Sequence, residues 1–386
     1  MPTPAGLEHF PVNWKDGMQI NSKDFIALNN FIYDSVRDAL SIGLNDFNYG
    51  LLPPVDNLEA EDYPKFSIST NSSTESVSIQ LKECRGITPG GLRIEITSHT
   101  VKALNIKEEQ LPSDTIGLKN GLYDIVLTVN PYQEVKNDFE KTREEREEET
   151  PRYVGGVSHS GVPRKTILFP AYKLSVIPSH QHIADPNSLV ISRLKVEGKT
   201  VEVDRGHFVP ASTSLNSYYL LSNYYYSKFK SATTDIQSNL ITIIQGNHSA
   251  SINSKSSNSD MENALLFAEK LLQSLQSNHA QIHFFAISQP PMYLAGIYIN
   301  FVQAALNTLK FINGEEAFVE KYSKQCLTSN KTVYSIAKGI LNSNPKQGDL
   351  KPFLDSLLEF LELMKCFSKV LADTKFGPSH NPVGRN

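Results

Sequence analysis

Apolar positions follow two different rhythms in this chain, and the rhythm changes near Pro210. The first part opens on one helical stretch. From Asn21, in NSKDFIALNNFIYDSVRDALSIG, the residues Phe25, Leu28, Ile32, Val36 and Ala39 recur at steps of three and four. That spacing puts them on one face of an amphipathic helix. Asn21 or Ser22 suits the cap, Asp24 suits the positive end of the helix dipole, and Gly43 suits the stop.

Short alternating or β-branched segments come next: Phe66 to Ser69, Val77 to Leu81, Leu92 to Ile96, Gly121 to Val129, Thr166 to Phe169 and Tyr172 to Ile177. Two more, Leu189 to Val196 and Thr200 to Val203, are joined by Glu197-Gly198-Lys199. Gly and Pro punctuate them, as in Pro53-Pro54 and Pro89-Gly90-Gly91. Many short strands with such turns predict a β-sandwich or barrel. A parallel doubly wound sheet would need long helices between the strands, and this stretch has none in its pattern.

Beyond Pro210 the period is helical. Between Ser212 and Gln245, Tyr218, Ser222, Tyr225, Phe229, Ala232, Ile236 and Ile243 lie mainly on a seven-residue seam. A polar loop is expected over NHSASINSKSSNSD, with Asp260 as the next cap. Met261, Leu265, Ala268, Leu272 and Leu275 then step four, three, four, three. Pro290-Pro291 opens a helix to about Leu309, because proline is tolerated in a first helical turn. Leu350, Leu354, Leu357, Leu361, Met364 and Leu371 repeat the spacing near the C-terminus. Seams of this kind are buried in helical bundles, within one chain or between copies. The expected class is α+β, with a leading helix and β-rich domain over 1–210, a helical bundle over 211–313 and a helical region over 314–386.

Composition narrows the function more by exclusion than by indication. The net charge of -4 gives no global attraction to nucleic acid or anionic lipid. No apolar run approaches the roughly 18–20 residues that cross a bilayer, and the N-terminus lacks the basic and apolar segments of a signal peptide. The run from Asn137 to Thr150, NDFEKTREEREEET, has almost no apolar residue and is expected as a solvated insertion. Cys84, Cys326 and Cys366 lie far apart in sequence and are expected as buried reduced thiols of a cytoplasmic protein.

A search for chemistry returns no constellation. GGVSHSG, from Gly155 to Gly161, lacks a P-loop lysine, and Ser160 stands where a nucleophile elbow needs glycine after Ser158. His180 with His182, and His279 with His283, have spacings that metal sites use, but neither pair has an accompanying carboxylate motif. No catalytic residue, cofactor or metal is expected.

Several motifs, in order, resemble those of TssK, a baseplate subunit of type VI secretion systems. Asn13 to Phe25 reads NWKDGMQINSKDF, with Trp14, Asp16, Gly17, Met18 and Phe25 at the family's opening positions. The family's usual Pro-Gln-His before that Phe is Ser22-Lys23-Asp24 here. Asn48 to Leu52, NYGLL, is similar to its aromatic-Gly-Leu. Thr150 to Tyr153, with Tyr172-Lys173-Leu174 after it, resembles its PRY stretch and Tyr-x-Leu strand. Phe208 and Pro210 in DRGHFVP stand at the start of its helical part, where Ala211 replaces a second proline. Pro290 and Tyr293 in HFFAISQPPMY match its later helix start, with Gln289 at the family's histidine.

The resemblance implies a β-sandwich "shoulder" followed by a bundle that forms a homotrimer, and a mechanical role without a reaction. Trp14, Asp16, Gly17, Met18 and Phe25 would face the wedge proteins TssF and TssG. Tyr218, Tyr225, Phe229, Ile236, Leu265 and Leu272 would serve the bundle and trimer. The membrane complex would lie on the C-terminal side, with no insertion of this chain into the bilayer and no nucleic acid bound. Members carry a strand-rich head there. Here the pattern after Phe311 is helical, which implies either a head reduced to helices and the PSHNPVGRN tail or, the favoured reading, a different membrane-side partner. An adaptor of a phage tail or other contractile injection machine is the alternative. A hydrolase using Ser158, His159 or the paired histidines is the third reading.

Overall fold

A computed structural model describes residues 9–55, 61–103, 106–137, 167–181, 185–251, 259–327, 331–345, 348–374 and 376. The charged run beyond Asn137, the PRY stretch, the Gly155 to Gly161 loop, His182 and the tail from Gly377 lie outside these residues. The chain forms two compact units, Met1–Asp204 and Arg205–Asn386.

The first unit begins with α1 (Ser22–Ser41) and continues in two antiparallel sheets. In the first sheet β3 (Ser76–Ile87) is the spine. It pairs with β1 (Gly50–Leu51), β2 (Lys65–Asn71), β4 (Arg93–Ile96) and β5 (Ser113–Gly117). A short helix α2 (Ser98–Ala103) follows β4. The second sheet runs β7-β6-β8-β9, from β6 (Gly121–Asn137), β7 (Ile167–Pro178), β8 (Ser188–Glu197) and β9 (Thr200–Val203).

Alternation makes the core. Val77, Ile79 and Leu81 of β3, Ile125, Leu127 and Val129 of β6, and Leu189, Ile191 and Leu194 of β8 are all buried. Each such side chain contributes ~1.5–3 kcal/mol. The sheets meet closely at Gly86, where an added Cβ would stand 3.0 Å from the Leu189 side chain and 3.1 Å from the Gly50 carbonyl oxygen. Asp114 of β5 accepts the Val176 N–H of β7 at 2.7 Å, which ties the sheets at a second place.

Two irregularities explain where the strand pattern was hard to read. Lys65 pairs with Glu83 and Phe66 with Leu81, so Lys82 is an extra residue that shifts the inward face from Leu81 to Cys84. The single long β3 therefore looks finished at Leu81. In the β6–β7 pair the register shifts between Asn130 and Glu134, and Glu134 pairs with Pro170. The two segments expected on either side of Pro170 are one strand, with its proline beside an irregularity that tolerates a missing N–H.

The second unit is helical. A 3₁₀ turn (Leu215–Ser217) and a π-helical turn (Leu220–Tyr226) lead into α3 (Ser227–Ser251). Then come α4 (Ser259–Ser277), α5 (Pro291–Lys310), α6 (Glu315–Ser323), α7 (Val333–Leu341) and α8 (Lys351–Asp373). The loop expected from Asn247 begins later than its polar sequence predicts, since the helix runs through Ser251. Leu350, Leu354, Leu357, Leu361, Met364 and Leu371 are all buried. So are Tyr225 and Phe229, whose rings stack through to Tyr298 with centroid distances of 6.0 and 5.1 Å. Tyr298 also shares a 2.8 Å hydrogen bond with Thr233.

One cysteine expectation is overturned. Cys84 is a buried free thiol, but Cys326 and Cys366 form a disulfide, with their Cα atoms 5.6 Å apart. The turn after α6 meets α8 there, a proximity that a sequence separation of 40 conceals.

Candidate partner-binding surface

Helix α1 is built as its sequence requires and placed the other way round. Asn21 accepts the Lys23 N–H at 2.8 Å, while Asp24 reaches back to accept the Asn21 N–H at 2.9 Å. This reciprocal cap fixes the start. Its buried residues are Asp34, Arg37 and Ser41, a polar stripe at steps of three and four. Phe25, Ile32 and Val36 lie on the opposite side and are 58%, 48% and 53% exposed. Apolar faces ordinarily turn inward. Here the apolar face is largely exposed and the polar face docks.

The docking is electrostatic. Asp34 is fully buried and is held by the Tyr132 hydroxyl of β6, by the His9 N–H at 3.0 Å and by Arg37 at 3.4 Å. Arg37 also donates to the Tyr132 hydroxyl at 3.1 Å and pairs with Asp38 at 3.3 Å. The His9 ring lies against Tyr132 at 4.4 Å. Burial alone would raise the Asp34 carboxyl, but the Tyr132 hydroxyl, the His9 N–H and Arg37 outweigh it and hold the group below its ordinary range. The Gly90–Gly91 turn closes under the helix, where a Cβ on Gly91 would stand 3.2 Å from the Arg37 carbonyl oxygen.

The segment before α1 extends the exposed apolar surface. Met18 N–H donates to the Lys15 carbonyl at 3.1 Å, closing a turn around Asp16 and Gly17. Gly17 has φ of +78° and open space where a side chain would stand, so backbone conformation, not room, favours glycine there. The turn brings Trp14 to Phe25, with ring centroids 6.4 Å apart. Phe10, Trp14, Met18, Ile20, Ile26, Leu40 and Ile42 are exposed as well. Large exposed apolar side chains concentrated along one helix and the segment before it point to an interaction site more than singly scattered ones do. Of the five residues singled out at this end, the structure groups Trp14 and Phe25 directly and sets Asp16, Gly17 and Met18 in the turn between them.

The bundle residues divide differently. Tyr218, Tyr225, Phe229 and Ile236 are buried within the helical unit itself, while Leu265 and Leu272 are half-buried. On α4 the buried line is Ala264, Phe267, Ala268, Leu271 and Leu275, one step round from the seam through Leu265 and Leu272. Phe208 and Pro210 are buried, Pro290 caps α5, and Tyr293 is 40% exposed.

The candidate chemistry stays dispersed. His279 and His283 stack at 4.3 Å. Burial, then His279 and Lys230, lowers the His283 value, which favours the neutral ring. His180 sits in a 3₁₀ turn. Among the described residues no group of three or more His, Cys, Asp or Glu side chains is placed to hold a metal ion, and no helix is long and apolar enough to cross a membrane.

By sequence, no protein family and no curated protein matches the chain. Its three-dimensional similarity is to TssK. A crystal structure of TssK matches with a TM-score of 0.50 at 14% identity, over 93% of this chain and 69% of that one. A cryo-electron microscopy structure of the type VI secretion TssK–TssF–TssG baseplate subcomplex matches with a TM-score of 0.49 at 13% identity, over 93% of this chain and 99% of that one. The chain thus has a TssK-like fold: a leading helix, antiparallel β-sheets and a C-terminal helical region.

Proposed function

We propose that this chain is a non-catalytic structural subunit of a type VI secretion baseplate, acting in the cytoplasm, and that the outer face of α1 docks wedge proteins of the TssF and TssG kind. The TssK-like fold and the order of the sequence motifs support the baseplate role. One observation carries the docking reading: α1 turns its charged stripe to the sheet and presents Phe25, Ile32 and Val36 outward beside Trp14. Covering such side chains on association supplies hot spots of ~2–4 kcal/mol each. The partner identity comes from the solved subcomplex, where TssK is found with TssF and TssG.

The experiment is co-purification with TssF and TssG proteins produced together with this chain. Ile32→Asp and Trp14→Ala are expected to lose most of the bound wedge while the free protein stays folded. Full retention of both partners by Ile32→Asp would remove the docking reading.

We also propose a homotrimer, in keeping with the resemblance. Because Tyr218, Tyr225, Phe229 and Ile236 serve the unit's own core, Leu265 and Leu272 are the members of the proposed set left to meet another copy. Light scattering at micromolar concentration is expected to give three copies, and a monomer would contradict this. The membrane complex is assigned to the C-terminal side. Removing residues from Gly377 onward is expected to weaken that contact and leave the trimer intact.

A further inference from the structure

We propose that Cys326 and Cys366 are a reversible redox-modification site, a thiol–disulfide couple that staples the end of α6 to the middle of α8. This goes beyond the baseplate reading and does not depend on it. The bond is placed where it limits local freedom without being needed for the core. Phe318 and Tyr322 of α6 are buried, and Phe318 packs edge-on against Phe367 of α8 at 6.2 Å, so apolar contact already joins the two helices. Cys326 follows in the turn that ends α6, its N–H donating to the Ser323 carbonyl at 2.8 Å. Both cysteines are half-buried, which leaves them within reach of a small thiol. Cys84 contrasts with them: it is fully buried, and burial pushes its thiol far above the ordinary value, which suppresses its thiolate.

Three other tethers converge on the same turn of helix. Lys321 and Tyr322 both hold Asp260 at the start of α4, at 2.6 and 2.9 Å. The Tyr322 ring also lies 6.2 Å from Phe376, at the beginning of the C-terminal tail. With the disulfide closed, residues 326–366 form a closed loop and the last turn of α6 is pinned on α8. With it open, the loop and the platform under Phe376 are released while the Phe318 contact remains.

The chemistry balances with a dithiol as reductant. Its thiolate attacks one sulfur, the Cys326–Cys366 bond breaks, and a mixed disulfide forms. The reagent's second thiolate resolves it. The cystine gains two electrons and two protons, and the dithiol leaves as a cyclic disulfide.

The test uses the full chain in buffers of graded reduced-to-oxidised dithiothreitol, quenched by acid, alkylated and weighed intact. Two alkyl groups are expected to appear together across one midpoint, with a third only after denaturation. Amide exchange in α6 and residues 324–327 should rise on the order of tenfold on reduction, with α3 and α5 unchanged. The Cys326→Ser single variant should exchange like the reduced form in every buffer. Thiols that stay singly alkylatable in the most oxidising buffer would overturn the proposal. So would equal exchange in both states, or a global loss of protection on reduction, which would make the bond a folding requirement.

Discussion

Helices α1 and α8 are both long and amphipathic, 20 and 23 residues, yet they are used in opposite senses. In α8 the apolar stripe from Phe353 to Leu371 fills the core of the helical unit. In α1 the core-facing residues are Asp34, Arg37 and Ser41, and the apolar stripe looks outward. A helical period says which residues share a face. Which face turns inward depends on what waits on the sheet. For α1 that is Tyr132, nearly a hundred positions away, whose hydroxyl meets both Asp34 and Arg37. A helix docked by charge leaves its apolar side available, and that is the physical basis for assigning it to a partner.

The contrast gives a graded set of expectations. The largest effect belongs to the bundle: Phe229→Ala should cost ~3–5 kcal/mol in chemical denaturation, because it empties a fully buried ring site between Tyr225 and Tyr298. Next comes the polar dock. Asp34→Ala leaves Arg37 and the Tyr132 hydroxyl without their buried acceptor and should cost about 3 kcal/mol. A negligible loss in both variants would mean that neither the bundle core around Phe229 nor the polar dock of α1 is held as described.

Acid probes the same dock more gently. The Asp34 carboxyl titrates below its ordinary value because Tyr132, the His9 N–H and Arg37 outweigh its burial. Its stabilising contribution is therefore complete above the unfolded value of ~4 and is lost as pH falls through the lower folded value. The chain has one tryptophan, Trp14, so its fluorescence reports on this end. The signal should hold from neutral pH to about pH 5 and change below about pH 4. Tyr132→Phe should move that change upward. The smallest effect is on the outer face, where Phe25→Ser and Ile32→Ser should alter the stability of the free chain by less than ~0.5 kcal/mol.

Much of this architecture was legible from residue patterns, and the misses have physical causes. The bounds of α1 follow from Asn21 and Asp24, and the C-terminal helix follows from its leucines. The polar strand β5 was missed because Ser113–Gly117 carries one large apolar residue, Ile116, and owes its form to pairing with β3. The continuation of β3 beyond Leu81 was hidden by the extra residue Lys82. At the candidate site, motif resemblance pointed to Trp14 and Phe25, but not to Phe10, Ile20, Ile26, Leu40 or Ile42. A signal was present: Asp34, Arg37 and Ser41 form a second stripe at helical spacing, and two competing stripes on one helix leave its orientation open.

The most direct measurement is hydroxyl-radical footprinting of the chain alone and in complex with TssF and TssG. The account predicts that Trp14, Phe25, Ile32 and Val36 label readily in the free protein and are protected in the complex, with Phe229 and Leu357 protected in both. Labelling of the α1 side chains that stays the same when the wedge proteins bind would contradict it.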